Sequence, residues 1–177
     1  MHRQRPVGVA ISGALAVLLG LASIGTGCGS TSTGSTSTTT DGAAVGTTTN
    51  NGQTLPIGAT ITVGSTTIGL EVARTPVEQE IGLMGRTSLA ADRGMVFPFT
   101  PAQRISFWMK DTLIPLDLVF VRDGIVTKVV ANAPPCTADS CPTWSSDGPV
   151  DSVIELRAGM SDSLGIRAGT RLDIVDR

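Results

Sequence analysis

Leu116-Asp117-Leu118-Val119-Phe120-Val121-Arg122-Asp123-Gly124-Ile125-Val126-Thr127-Lys128-Val129-Val130-Ala131 is the stretch on which the fold reading turns. Two runs rich in β-branched and aromatic residues flank Asp-Gly, a pair that tolerates the positive φ of a two-residue hairpin turn. Working outward, similar short runs recur at Thr60–Val63, Thr67–Ala73, Gly94–Phe97, Ile105–Met109, Ser152–Leu156 and Arg171–Val175, with turn signals between them. Short strands at such spacing predict a mainly β domain, a compact barrel or sandwich over residues 56–177. Helix signals are local. Thr75-Pro76-Val77-Glu78 is a capping box with proline in the first turn, predicting a helix to about Met84 with Ile81 and Met84 on one face. Ser161-Asp162 opens a second, single-turn helix that Gly165 ends.

The residues before the domain read differently. Arg3 and Arg5 precede an uncharged run from Val7 to Ile24, then small residues and Cys28, the order of a secretory leader. Residues 1–27 are read as a lipoprotein-type signal peptide and Cys28 as the lipid-attachment site. Gly25 stands where a lipobox usually has an aliphatic residue. An uncleaved membrane anchor and simple secretion are the other two readings, and all three export the rest of the chain. Residues 28–55 are almost wholly Ser, Thr, Gly and Asn, and are expected to form a disordered tether.

Composition narrows the chemistry. The single histidine is His2, inside the leader, so the exported part has no imidazole for a Ser-His-Asp triad, a Cys-His dyad or a His-ligated zinc. No metal or cofactor is expected. The chain holds 13 basic and 15 acidic residues, and removing Arg3 and Arg5 leaves 11 against 15. With no basic stripe, nucleic acid is not an expected partner.

Three segments carry a family resemblance: Glu80-Ile81-Gly82-Leu83-Met84-Gly85-Arg86, Gly94-Met95-Val96-Phe97, and Phe107-Trp108-Met109-Lys110-Asp111-Thr112-Leu113-Ile114-Pro115-Leu116-Asp117. With Ser145-Ser146-Asp147-Gly148 and Val153-Ile154-Glu155-Leu156 downstream, residues 66–175 resemble the DUF192 family of bacterial and archaeal proteins. The resemblance implies a compact β-barrel-like fold, often exported, with no agreed activity. Asp111 departs from the family pattern, which usually has Asn there.

Cys136 and Cys141, in a proline-flanked loop of an exported protein, are expected to form a structural disulfide. A redox-active pair would rather be Cys-x2-Cys at a helix start. Strand alternation puts Phe107 and Met109 on one face, toward the core, and Trp108 and Lys110 on the other. An aromatic beside a charge on that face is how a saccharide or anion platform is built; Trp108 covering a second small core, with Lys110 paired to Asp117 or Asp111, is the plainer reading. Arg86 suits carboxylate or phosphate recognition, or a structural pair with Glu71 or Glu155. Asp147-Gly148-Pro149 is a turn signal before it is a ligand site. Ser145 and Ser146 have no base beside them. The candidate pocket is therefore Trp108, Lys110, Asp117, Asp147, Arg86 and Glu71. The expected function is a non-catalytic envelope module for a small polar ligand or saccharide. The alternatives are a carboxylate-dependent hydrolase of envelope polysaccharide, with two acids such as Asp117 and Glu155 across a cleft, or a structural partner of another envelope protein through an exposed β-edge.

Overall fold

The computed structural model describes the backbone of residues 47–49 and all of residues 52–177. The assigned leader, Cys28 and most of the assigned tether lie outside the described residues. Strands β1 (Thr47–Thr49) and β2 (Gly52–Thr54) form a small antiparallel ribbon. There follow β3 (Ile57–Val63), β4 (Thr66–Val72), α1 (Pro76–Ile81), β5 (Arg93–Gln103), β6 (Ser106–Trp108), β7 (Leu116–Arg122) and β8 (Ile125–Ala133). The chain ends with β9 (Thr143–Ser145), β10 (Val150–Arg157), α2 (Met160–Ser163) and β11 (Val175–Asp176).

Seven of these strands make one sheet in the order β11-β3-β4-β5-β10-β7-β8, while β6 and β9 pair separately. The predicted hairpin is β7–β8, with Asp123 and Gly124 both at positive φ, as the turn requires. Among the described strand pairs, only β4 and β5 run parallel. A parallel connection needs a long crossover, supplied by α1 and the segment through residue 92.

The fold is mainly β, as the strand pattern predicts, and the sheet is open, not a closed barrel. Its C-terminal segment touches strands at both ends of the sheet order. Arg171 bridges to Ile125 of β8, and Val175 pairs with Thr60 of β3. Both faces are buried. Leu118, Phe120, Met95, Phe97 and Val153 pack on one face with Leu83 and Leu89 from the crossover. Val119, Val121, Val96, Ile154 and Leu156 pack on the other with Ile166 and Leu172. Two-sided burial explains why Leu116–Val121 is apolar almost throughout.

The tether was expected to reach residue 55, but the fold takes in its last four residues. Leu55 and Gln53 are buried. The Gln53 side chain donates to the carbonyls of Glu78 (2.7 Å) and Gly82 (2.9 Å), and so fastens β2 to the end of α1. Gly52 is at φ +88°, and a Cβ there would overlap the Met84 carbonyl oxygen. A composition rich in Thr, Asn and Gly concealed a segment held by hydrogen bonds more than by apolar burial.

α1 is shorter than its sequence suggests, ending at Ile81, because Gly82 takes φ +48°. Its capping box forms as predicted, with Thr75 Oγ1 accepting from the Glu78 amide and Glu78 Oε2 accepting from the Thr75 amide. The Thr75 amide, with help from that of Arg74, holds the Glu78 carboxyl below its ordinary pKa against the opposing effect of burial.

A candidate binding groove above a buried carboxyl

Glu71, Met95, Glu155 and Leu118 form one row across β4, β5, β10 and β7, each paired in register with the next. Side chains opposite one another share a face, and Leu118 and Met95 mark this face as core. Two acids therefore enter one apolar layer, two strand spacings (about 10 Å) apart.

They are treated differently. Arg86, following α1, holds Glu71 by both oxygens, at 2.8 and 2.6 Å, and also donates to the Gln53 carbonyl. Glu71 Oε2 further accepts from the Leu55 amide. This is a nearly saturated bidentate pair at low exposure. Glu155 has no such cover. It is 5% exposed, and its Oε2 has no hydrogen-bond partner among the described residues. Burial pushes its pKa up to about 8, against the opposing attraction of Arg86. At neutral pH Glu155 is therefore mostly a neutral carboxylic acid.

Glu155 lines a cavity of about 30 Å³ whose walls include Gln79, Gly82, Phe107, Trp108 and Thr112. Five of its lining residues, among them Glu80, Phe107 and Trp108, also line a more open groove of about 320 Å³. Phe99 and Ile105 add apolar wall to the groove. Strand alternation is as expected: Phe107 packs edge-on between Phe97 (5.0 Å) and Phe120 (6.2 Å), Met109 is buried, and Trp108 stands half exposed. Trp108 is thus a wall of the groove and not the lid of a second core.

The other expected pocket residues go elsewhere. Asp117 is fully buried and accepts from the amides of Asn132, Gly159 and Ser161 and from Ser161 Oγ, at 2.6 to 3.2 Å. It staples β7 to α2 and does not line the groove. Lys110 pairs with Asp111 and donates to the Ala138 carbonyl. Asp147 is exposed and pairs with Lys128. The structure gathers Arg86 with Glu71, and Trp108 separately with Glu155. It does not gather the six into one pocket, because contiguity in the motif hid the alternation of faces and the turn after Met109.

Cys136 and Cys141 form the expected disulfide. The Cys136 carbonyl accepts from Asp111, whose own carbonyl accepts from Gly85, tying this loop to the segment carrying Thr112 and to the chain after α1. Among the described residues no three His, Cys, Asp or Glu side chains converge on a metal-sized site.

A comparison with curated proteins gives no match. Among solved structures, a protein of unknown function from Novosphingobium aromaticivorans is 37% identical, covering 66% of this chain and 83% of its own, at a TM-score of 0.59. A candidate transcription regulator from Sinorhizobium meliloti is 34% identical, covering 66% and 91%, also at a TM-score of 0.59. The model of DUF192, described as an uncharacterised family, matches residues 59–174, well over half the sequence, and the chain belongs to that family.

Proposed function

We propose that the domain is a binding module for a small polar ligand with an apolar face, of the saccharide class, held in the groove beside Trp108. One observation carries this reading: a half-exposed tryptophan walls a groove that shares its lining with a cavity reaching a buried, unpartnered carboxyl. An indole face stacks on the apolar side of a sugar ring, and a neutral carboxyl both donates to and accepts from hydroxyls. A groove of about 320 Å³ is at the small end of ligand sites.

A hydrolase is the second reading, favoured by one feature. Glu155, kept protonated, is a general acid in waiting, and Glu80 lines the same cavity. Glu71 cannot serve as its partner, since Arg86 occupies both its oxygens. The regulator label of the Sinorhizobium relative is not carried over, because acids outnumber bases in this chain and no basic stripe supports contact with DNA. We further propose that the protein is exported and anchored to the membrane through a lipid on Cys28, on the strength of the leader-like residues 1–27.

The test is a thermal-shift screen of the full chain, kept oxidised, against envelope saccharides, peptidoglycan fragments, nucleotides and metal ions. Ligand at about a hundred times its Kd adds about 2.7 kcal/mol of stability. A saccharide shift abolished by Trp108→Ala supports the module, and product release from the same saccharide moves the reading to the hydrolase. No shift from any saccharide overturns both.

A further inference from the structure

Resting on the Trp108 groove as a ligand site, we propose that its ligand carries a protonated primary amine, the ammonium group entering the inner cavity at Glu155 and the body lying in the outer groove. Size makes the first argument. The inner cavity of about 30 Å³ accepts one group the size of a water molecule or an ammonium, and is too small for a sugar ring, carboxylate or phosphate. The body of the ligand must then occupy the outer 320 Å³.

Charge makes the second. Glu155 and Glu80 line the inner cavity, and among the described residues no Lys or Arg lines either compartment. Arg86, the cation nearest Glu155 in electrostatic effect, spends its guanidinium on Glu71 and the Gln53 carbonyl. An anionic ligand would meet acids and no free cation, whereas an ammonium meets a carboxyl lacking a partner at Oε2. The walls agree, since Phe107 and Trp108 offer ring surface near which a cation is stabilised. Thr112 and Gln79, also in the wall, supply oxygen acceptors for remaining N–H groups.

The charged groups around Glu155 are Arg86 and Glu71 on the sheet side and Glu80 at the groove. Arg86 and Glu71 neutralise each other, so the arriving ammonium decides the state of Glu155. Binding converts the neutral acid to a carboxylate paired with the ammonium, and the displaced proton goes to the buffer. Amine binding therefore tightens as pH rises toward the pKa of Glu155, while binding of a neutral hydroxyl ligand consumes no such linkage.

The experiment is calorimetric titration of the full chain with two matched pairs, benzylamine against benzyl alcohol and D-glucosamine against D-glucose. It is run in two buffers of different ionisation enthalpy at about pH 6.5, below the pKa of Glu155. The expected result is a preference of about tenfold or more for each amine with release of about one proton per amine bound. Glu155→Gln, nearly isosteric, should abolish both the preference and the proton release. Trp108→Ala, on an exposed side chain, should weaken amine and alcohol alike. Equal binding of amines and alcohols without proton release overturns the amine assignment and leaves the groove as a site for neutral ligands. Binding by neither pair overturns the amine assignment together with the groove reading on which it rests.

Discussion

Glu155 titrates about 8 in the folded protein because burial disfavours its charge, with Arg86 pulling weakly the other way. An exposed glutamate in the unfolded chain ionises near 4.5. Between those values the folded state binds more protons than the unfolded one, so stability falls as pH rises through the window and levels off above about pH 8. Glu155→Gln should remove this loss. Its stabilisation relative to the parent should grow from little near pH 4.5 to a plateau on the order of 5 kcal/mol at alkaline pH. Urea melts at about pH 5, 7 and 9 read the difference, and a constant difference across the series would show that Glu155 is not the titrating group. Asp117 is a different case. Its buried side chain accepts from four donors, two on each oxygen, so Asp117→Asn sets an amide N–H₂ against two of them whichever way it turns. A loss of about 3 kcal/mol is expected, with ligand affinity unchanged once folding is corrected for.

The elements show what a sequence can disclose. Capping box, Asp-Gly hairpin and disulfide depend on residues within a few positions of each other, and each forms as its local pattern predicts. Thr75→Ala should therefore cost about 1 kcal/mol in chemical denaturation, by loss of the cap alone. Removing the disulfide as Cys136→Ser with Cys141→Ser should cost about 2 kcal/mol for so short a loop. That effect reaches past the loop, because Cys136 holds Asp111, which holds Gly85. Amide exchange should rise at Asp111 and Gly85 in the disulfide-free protein and stay unchanged in β7. The site was less legible. Trp108 was readable from strand alternation, and the Arg86–Glu71 pair from the charge types. Glu155 could be named only as a partner for Arg86 or one acid of a hydrolytic pair. Its signal was an acid inside the apolar run Val153-Ile154-Glu155-Leu156, but the partner of a buried acid is set by strand order. The row Glu71-Met95-Glu155 joins strands 24 and 60 positions apart in sequence, a register that no local pattern encodes.

At the scale of the whole molecule, the boundary between tether and domain decides whether the Arg86–Glu71 ion pair is held. A composition-based boundary at residue 56 discards Gln53 and Leu55, yet both belong to the packed structure. Gln53 ties β2 to the end of α1 through two carbonyls and gives its own carbonyl to Arg86, while the Leu55 amide completes Glu71. A chain beginning at residue 56 would expose one side of the Arg86–Glu71 pair to water and leave the carbonyls of Glu78 and Gly82 without that donor. Each lost buried hydrogen bond costs about 1 kcal/mol, and those to charged groups somewhat more. The chain from 56 should thus be less stable than the chain from 52 by roughly 3–5 kcal/mol. Its denaturant midpoint should fall, and the loss should be concentrated around α1 and Arg86 when followed by amide exchange. Equal midpoints for the two chains would show that residues 52–55 rest on the domain without supporting it, and that Arg86 and Glu71 hold each other unaided.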